Sequence, residues 1–158
     1  MGRFAVVLPI EPLATGDRFP VSAWPLHVTV VEPFETPLAA AAIAELIGPV
    51  LRGRGSIDAR AVDRARFGRR HDVPVTLLRD DGPLGAMRTL LLRALREADV
   101  DVARARLDFR PHVTDGVHGS VPPGRTVRLD QVALVDLRPP EGRAHRSVAA
   151  TWHLRDDG

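Results

Sequence analysis

The chain has 158 residues, 44% hydrophobic and 27% charged, which fits one compact domain with a sizeable core and excludes a disordered or fibrous protein. No cysteine is present, so disulfides, thiolate metal sites and cysteine nucleophiles are excluded, and a reducing compartment fits. The formal net charge is only +2 although the pI is about 10.7, because every basic residue is Arg and guanidinium stays protonated to very high pH; a non-specific nucleic-acid coat is not indicated.

Residues 3–10 are rich in β-branched side chains and closed by Pro9 and Pro12, which predicts a strand. Residues 11–25 contain Pro12, Gly16, Pro20 and Pro25 and read as a loop. A second strand is predicted over 26–32. Thr36 followed by Pro37 marks a helix start, since Thr can cap free amides and Pro is pre-set for the first helical position. Ile43, Leu46, Ile47, Val50 and Leu51 then repeat at three and four and define one helical face.

Residues 56–67 and 73–79 predict two further strands joined by a turn near Gly68. The run Asp80-Asp81-Gly82-Pro83 introduces a second helix, with Leu84, Met87, Leu91, Ala94, Leu95 and Ala98 as its buried stripe. Three more strands are expected over 109–117, 126–137 and 146–154. The order β-β-α-β-β-α-β-β-β predicts an α+β fold with mainly antiparallel sheets and outer helices. No segment is apolar enough to cross a membrane and no targeting signal is visible, so a cytoplasmic location is the expectation.

Two triplets carry the chemistry. His27-Val28-Thr29 falls in the second predicted strand and His112-Val113-Thr114 in the fifth. Side chains two apart on a strand share a face, so each triplet presents an imidazole beside a hydroxyl. A neutral imidazole can take a proton from an attacking hydroxyl or water, and a protonated one can give a proton to a leaving oxygen. Threonine hydroxyls can donate to phosphate oxygens as charge develops on them. Chance supplies roughly 0.3 His-x-Thr triplets in a chain of this composition, so two copies on predicted strands stand out. His112, Asp115 and His118 have a spacing open to a metal, but no second cluster completes a ligand set. Gly-rich phosphate loops, Ser nucleophile elbows and dinucleotide fingerprints are lacking. Residues 52–72 hold Arg52, Arg54, Arg60, Arg64, Arg66, Arg69 and Arg70 against Asp58, Asp63 and Asp72, a local bias that suits phosphates or a solvated face.

The paired triplets, with Trp24-Pro25-Leu26 leading into the first and Phe109-Arg110-Pro111 into the second, resemble those of the 2H phosphoesterase superfamily. That superfamily includes bacterial 2′-5′ RNA ligase-like proteins and cyclic nucleotide phosphodiesterases. The likeness extends to the opening strand, to Phe67-Gly68-Arg69 with the strand after it, and to the closing segment from Gly142 to Leu154. It implies one bilobal domain over residues 1–158, with two mainly antiparallel sheets, pseudo-two-fold symmetry and a central cleft. It further implies a metal-independent enzyme without cofactor. His27 and His112 would be its acid–base pair, and Thr29 and Thr114 its phosphate-binding hydroxyls. The expected substrate is a 2′,3′-cyclic phosphate or 2′-5′ phosphodiester of a nucleotide or RNA end, with 2′-5′ ligation as the reverse reaction. The expected state is a monomer away from membranes. A non-catalytic RNA- or nucleotide-binding module using the same cleft is the alternative.

Three positions depart from the family pattern. Asp115 stands where an apolar residue is usual, Val117 where an Arg is often found, and His145 where an aromatic is common. Arg110 and Arg143 are the candidates to supply the displaced cation, and Asp115 is a candidate to raise the basicity of His112. Trp24 is a candidate to stack on a base, although a position beside an apolar strand suits rim packing as well.

Overall fold

The computed structural model describes residues 1–156. In chain order the elements are β1 (Gly2–Pro9), β2 (Arg18–Pro20), β3 (His27–Thr36), α1 (Ala40–Leu51), β4 (Ile57–Phe67), β5 (Val73–Arg79), α2 (Pro83–Glu97), β6 (His112–Thr114), β7 (Thr126–Leu129), β8 (Gln131–Asp136) and β9 (His145–His153). This is the α+β class that the periodicity predicts. Instead of two sheets, however, the strands join into one nine-stranded sheet in the order β2-β9-β8-β1-β3-β6-β5-β4-β7, every neighbouring pair antiparallel. Its two halves meet at β3 and β6, where the register is the single pair Val28 and Val113.

Both helices lie on one face. Ile43, Ile47 and Leu51 of α1 and Leu84, Met87, Leu91 and Leu95 of α2 pack there with Val28, Val30, Val113 and Leu134. Burying each such side chain contributes about 1.5–3 kcal/mol, so this layer dominates the stability of the fold. The opposite face carries a smaller cluster of Ala5, Val7, Ala133, Val135 and Val148 under Phe19, Leu13 and Trp24. The segment that supplies this cover is pinned by Gln131, whose amide donates to the Leu13 carbonyl at 2.7 Å and accepts from the Leu13 N–H at 2.8 Å.

Several boundaries differ from expectation for identifiable reasons. α1 starts at Ala40, behind Ala39. Thr36 stays in β3, because a residue before proline is held in the extended region, and its hydroxyl accepts from the Leu38 N–H at 3.1 Å. The expected strand 126–137 divides at Asp130. Its first part pairs with β4 at one end of the sheet and its second with β1 and β9 in the other half, so the chain must cross between them. The expected strand 109–117 shrinks to His112–Thr114, since Pro111 has no N–H to contribute and the chain turns at Gly116. β2 lies inside the expected loop 11–25. α2 begins at Pro83 as predicted, with the Asp80 carboxylate accepting from the N–H groups of Gly82, Leu84 and Gly85.

Candidate active site

Val28 and Val113 are both 0% exposed and turn toward the helices. Their sequence neighbours therefore turn to the open face of the sheet. Antiparallel pairing about this point sets His27 across from Thr114 and Thr29 across from His112. The four side chains that the sequence singles out are thus brought together in one patch where the halves of the sheet meet. β3 carries two irregularities opposite β1, each inserting an extra residue, so Val30 and Val31 are both buried and Glu32 comes back to the face of Thr29.

A cavity opens on each side of the patch. One, of about 320 Å³, is lined by Trp24, Pro25, His27, Thr114, Asp115 and Gly116. The other, of about 250 Å³, is lined by Thr29, Glu32, Phe67, Phe109, Arg110 and His112. They share no lining residue, and each takes one histidine and one threonine of the paired triplets.

The two imidazoles are tethered alike. His27 Nδ1 bonds the Pro25 carbonyl at 2.7 Å and His112 Nδ1 bonds the Arg110 carbonyl at 2.9 Å, each two residues upstream. A carbonyl only accepts, so Nδ1 carries the proton in both rings and Nε2 is the atom left for chemistry. Each ring also has an aromatic neighbour. Trp24 lies 4.4 Å from His27 between centroids, tilted by 36°, and is itself backed by Phe19 at 5.1 Å. Phe67 meets His112 edge-on at 4.6 Å. Burial holds the His27 pKa below its ordinary value; the bond to Pro25 opposes that shift, and a positive charge on His112 adds to it.

Asp115 does not serve His112. Arg64 grips its carboxylate with two bonds of 2.7 and 2.6 Å, and a third from the same guanidinium reaches the Thr76 hydroxyl at 2.8 Å. These bonds, ahead of the opposing effect of burial, hold the Asp115 pKa below the usual carboxylate range. Arg110 lies on the open face, two residues before His112, its guanidinium 5.1 Å from the centre of the Phe67 ring. Arg143 is exposed in the loop before β9, and neither cavity is lined by it. His118 Nε2 contacts the Ala23 carbonyl at 3.3 Å, and no group of three or more potential metal ligands gathers among the described residues.

Sequence reasoning misses the supports of this patch. Arg88, 4% exposed on α2, donates to the Val30 carbonyl, to both oxygens of Glu32 and to the Arg106 carbonyl, and lies 4.7 Å from the centre of the Phe109 ring. It ties β3 to the segment that delivers His112. Its position four after Leu84 and three before Leu91 was a readable signal, because it put a charge on the buried stripe. Phe67 and Arg64 were visible in the sequence, one in the Phe67-Gly68-Arg69 run and one in the Arg-rich stretch, but their contacts with His112 and Asp115 were not, since those are set by the β5–β6 register.

The model of the 2'-5' RNA ligase superfamily matches residues 6–138. The chain belongs to this superfamily. The resemblance to 2H phosphoesterases read from the triplets holds. Among solved structures, TT0787 of Thermus thermophilus superimposes with a TM-score of 0.67 at 19% identity, covering 100% of both chains. Escherichia coli LigT, crystallised with 3'-AMP, gives 0.63 at 19% identity over 97% of this chain and 98% of its own. A structure described as a phosphoesterase gives 0.62 at 18% identity over 98% and 99%. These likenesses concern the fold. No curated protein matches the chain by sequence. No helix of the described residues is long and apolar enough to cross a membrane.

Proposed function

We propose that the protein is a metal-independent phosphoesterase that opens a 2′,3′-cyclic phosphate or a 2′-5′ phosphodiester of a nucleotide or RNA end, with His27 and His112 as its acid–base pair. One observation carries the reading: the antiparallel register at Val28 and Val113 brings two imidazoles and two threonines to one patch, with both Nδ1 atoms tied back to carbonyls so that Nε2 is the nitrogen left for chemistry. The same register supports reading the two halves as lobes related by a local two-fold axis.

In the hydrolytic direction, one neutral imidazole takes a proton from water at Nε2 as the water oxygen attacks phosphorus. The other, protonated, gives its Nε2 proton to the departing ribose oxygen, so the bond to that oxygen breaks without an unstable alkoxide leaving. Thr29 and Thr114 donate to the non-bridging oxygens, whose charge grows in the transition state. Both proton transfers are supplied by the protein, so the scheme needs no Lewis acid. Microscopic reversibility lets the same site join ends. The capture of LigT, a protein of the same fold, with 3'-AMP supports a nucleotide at the patch.

The test is incubation with 2′,3′-cyclic nucleotides in EDTA, followed by phosphorus NMR, with His27→Ala and His112→Ala alongside. The expected result is turnover to a single monophosphate isomer, reduced at least about 10²–10⁴-fold in each variant. Nucleotide binding that survives both changes, with no turnover in the unaltered protein, would leave a binding module instead.

A further inference from the structure

The cavities on the two sides of the paired triplets differ in charge. On the His27 side the lining contains Trp24, Pro25 and Asp115 but no cation among the described residues, and Asp115 is neutralised by Arg64. On the His112 side the lining includes Arg106 and Arg110. The carboxylates there are already answered. Both oxygens of Glu32 accept from Arg88 at 2.9 Å, and Asp108 lies 3.8 Å from Arg106. Arg110 forms no ion pair with any described residue, and its guanidinium is held against the Phe67 ring, which in turn abuts His112.

Position along the chain sets the distance. Arg110, His112 and Thr114 share a face of an extended segment, with Pro111 and Val113 buried between them. Two residues of extended chain span about 7 Å, so Arg110 stands one step beyond His112 along that segment, away from Thr114. A phosphate resting between the two threonines leaves that guanidinium available to something one ribose further on. An uncompensated, partly ordered guanidinium beside an aromatic ring suits a phosphate whose nucleoside can rest against the ring.

We propose that the cavity beside His112 is a subsite for a second phosphate of the substrate, one ribose away from the reacting one, with Arg110 as its cation, Phe67 as the ring beside it, and Arg106, whose charge is partly met by Asp108, as a lesser contributor. The proposal rests on the phosphoesterase reading of the same patch and narrows it. A nucleoside cyclic phosphate with nothing beyond its ribose leaves the subsite empty. The second phosphate can come from the preceding phosphodiester of an RNA strand or from a 5′-phosphate on a single nucleotide.

Calorimetric titration with adenosine 3′-phosphate, adenosine 3′,5′-bisphosphate and the 3′-phosphorylated dinucleotide ApAp separates these cases without depending on turnover. At low salt the extra phosphate is expected to tighten binding about tenfold or more relative to the 3′-phosphate. In an Arg106→Gln/Arg110→Gln double variant that ratio is expected to fall to near one. A gain for ApAp alone assigns the subsite to an RNA strand; a gain for the bisphosphate as well assigns it to any 5′-phosphate. Equal binding of all three ligands, or a gain that persists in the double variant, overturns the subsite even if cyclic nucleotides are hydrolysed. A gain seen without hydrolysis upholds the subsite while the phosphoesterase reading fails. No binding of any ligand overturns both.

Discussion

Replacing Arg88 by Met removes the cation that joins three segments while keeping most of the side-chain volume. The Arg88 side chain is 5% exposed, and four bonds of 2.6 to 2.9 Å leave it for Val30, Glu32 and Arg106. Removing one partner from a fully buried ion pair costs about 3–5 kcal/mol. Glu32 keeps 24% of its side-chain surface, so water relieves part of its lost pairing and the lower end of that range applies. The expected loss is about 3 kcal/mol, or roughly 6–12 °C in Tm for a domain of this size. Urea denaturation of Arg88→Met, Glu32→Gln and the double variant measures it. The double variant should be about 1 kcal/mol or more stable than the two single losses added together, because neutral Glu32→Gln no longer strands a charge. A loss below about 1 kcal/mol for Arg88→Met, or strict additivity, would refute the account of Arg88 as the tie between β3 and the segment before His112.

Asp115→Asn should leave the pH–rate profile in place, because Arg64 and not an imidazole is the partner of that carboxylate; a displaced limb on a cyclic nucleotide substrate would show coupling to His112 instead. His27 is neutral-favouring in the fold, with its pKa below the ordinary 6.5, so the unfolded chain binds the extra proton first. Stability should therefore fall as pH drops from about 6.5 through the folded pKa, and His27→Gln should flatten that part of a urea-midpoint profile, whereas an unchanged slope would contradict it. Thr29→Val and Thr114→Val should each lower kcat by about 10²–10³ while leaving Tm within a few degrees, and a change in KM alone would remove the hydroxyls from transition-state stabilisation.

Local patterns carried much of this protein. Strands over 57–67 and 73–79 and the start of α2 at Pro83 follow from alternation, from a turn at Gly68 and from proline chemistry that acts within a few residues. The two His-Val-Thr triplets were legible because strand periodicity by itself puts each His beside its Thr. Where the chain passes from one half of the sheet to the other the reading slipped: alternation runs from Thr126 to Asp130 and breaks at the polar pair Asp130-Gln131 before the apolar run 132–135, a local break that does not by itself tell which strands each part joins.

The sequence alone determined the chemical groups, the faces they share on their own strands and the family to which the pattern points. Only the tertiary structure decided that Val28 meets Val113, and with it that His27 lies across from Thr114 and His112 from Thr29. It also decided that Arg64 takes Asp115, that Arg88 takes Glu32 and that Phe67 reaches His112 from a hairpin 45 residues upstream. Periodicity tells which way a side chain points from its own backbone, but which strands become neighbours depends on burying the apolar faces of the whole chain at once.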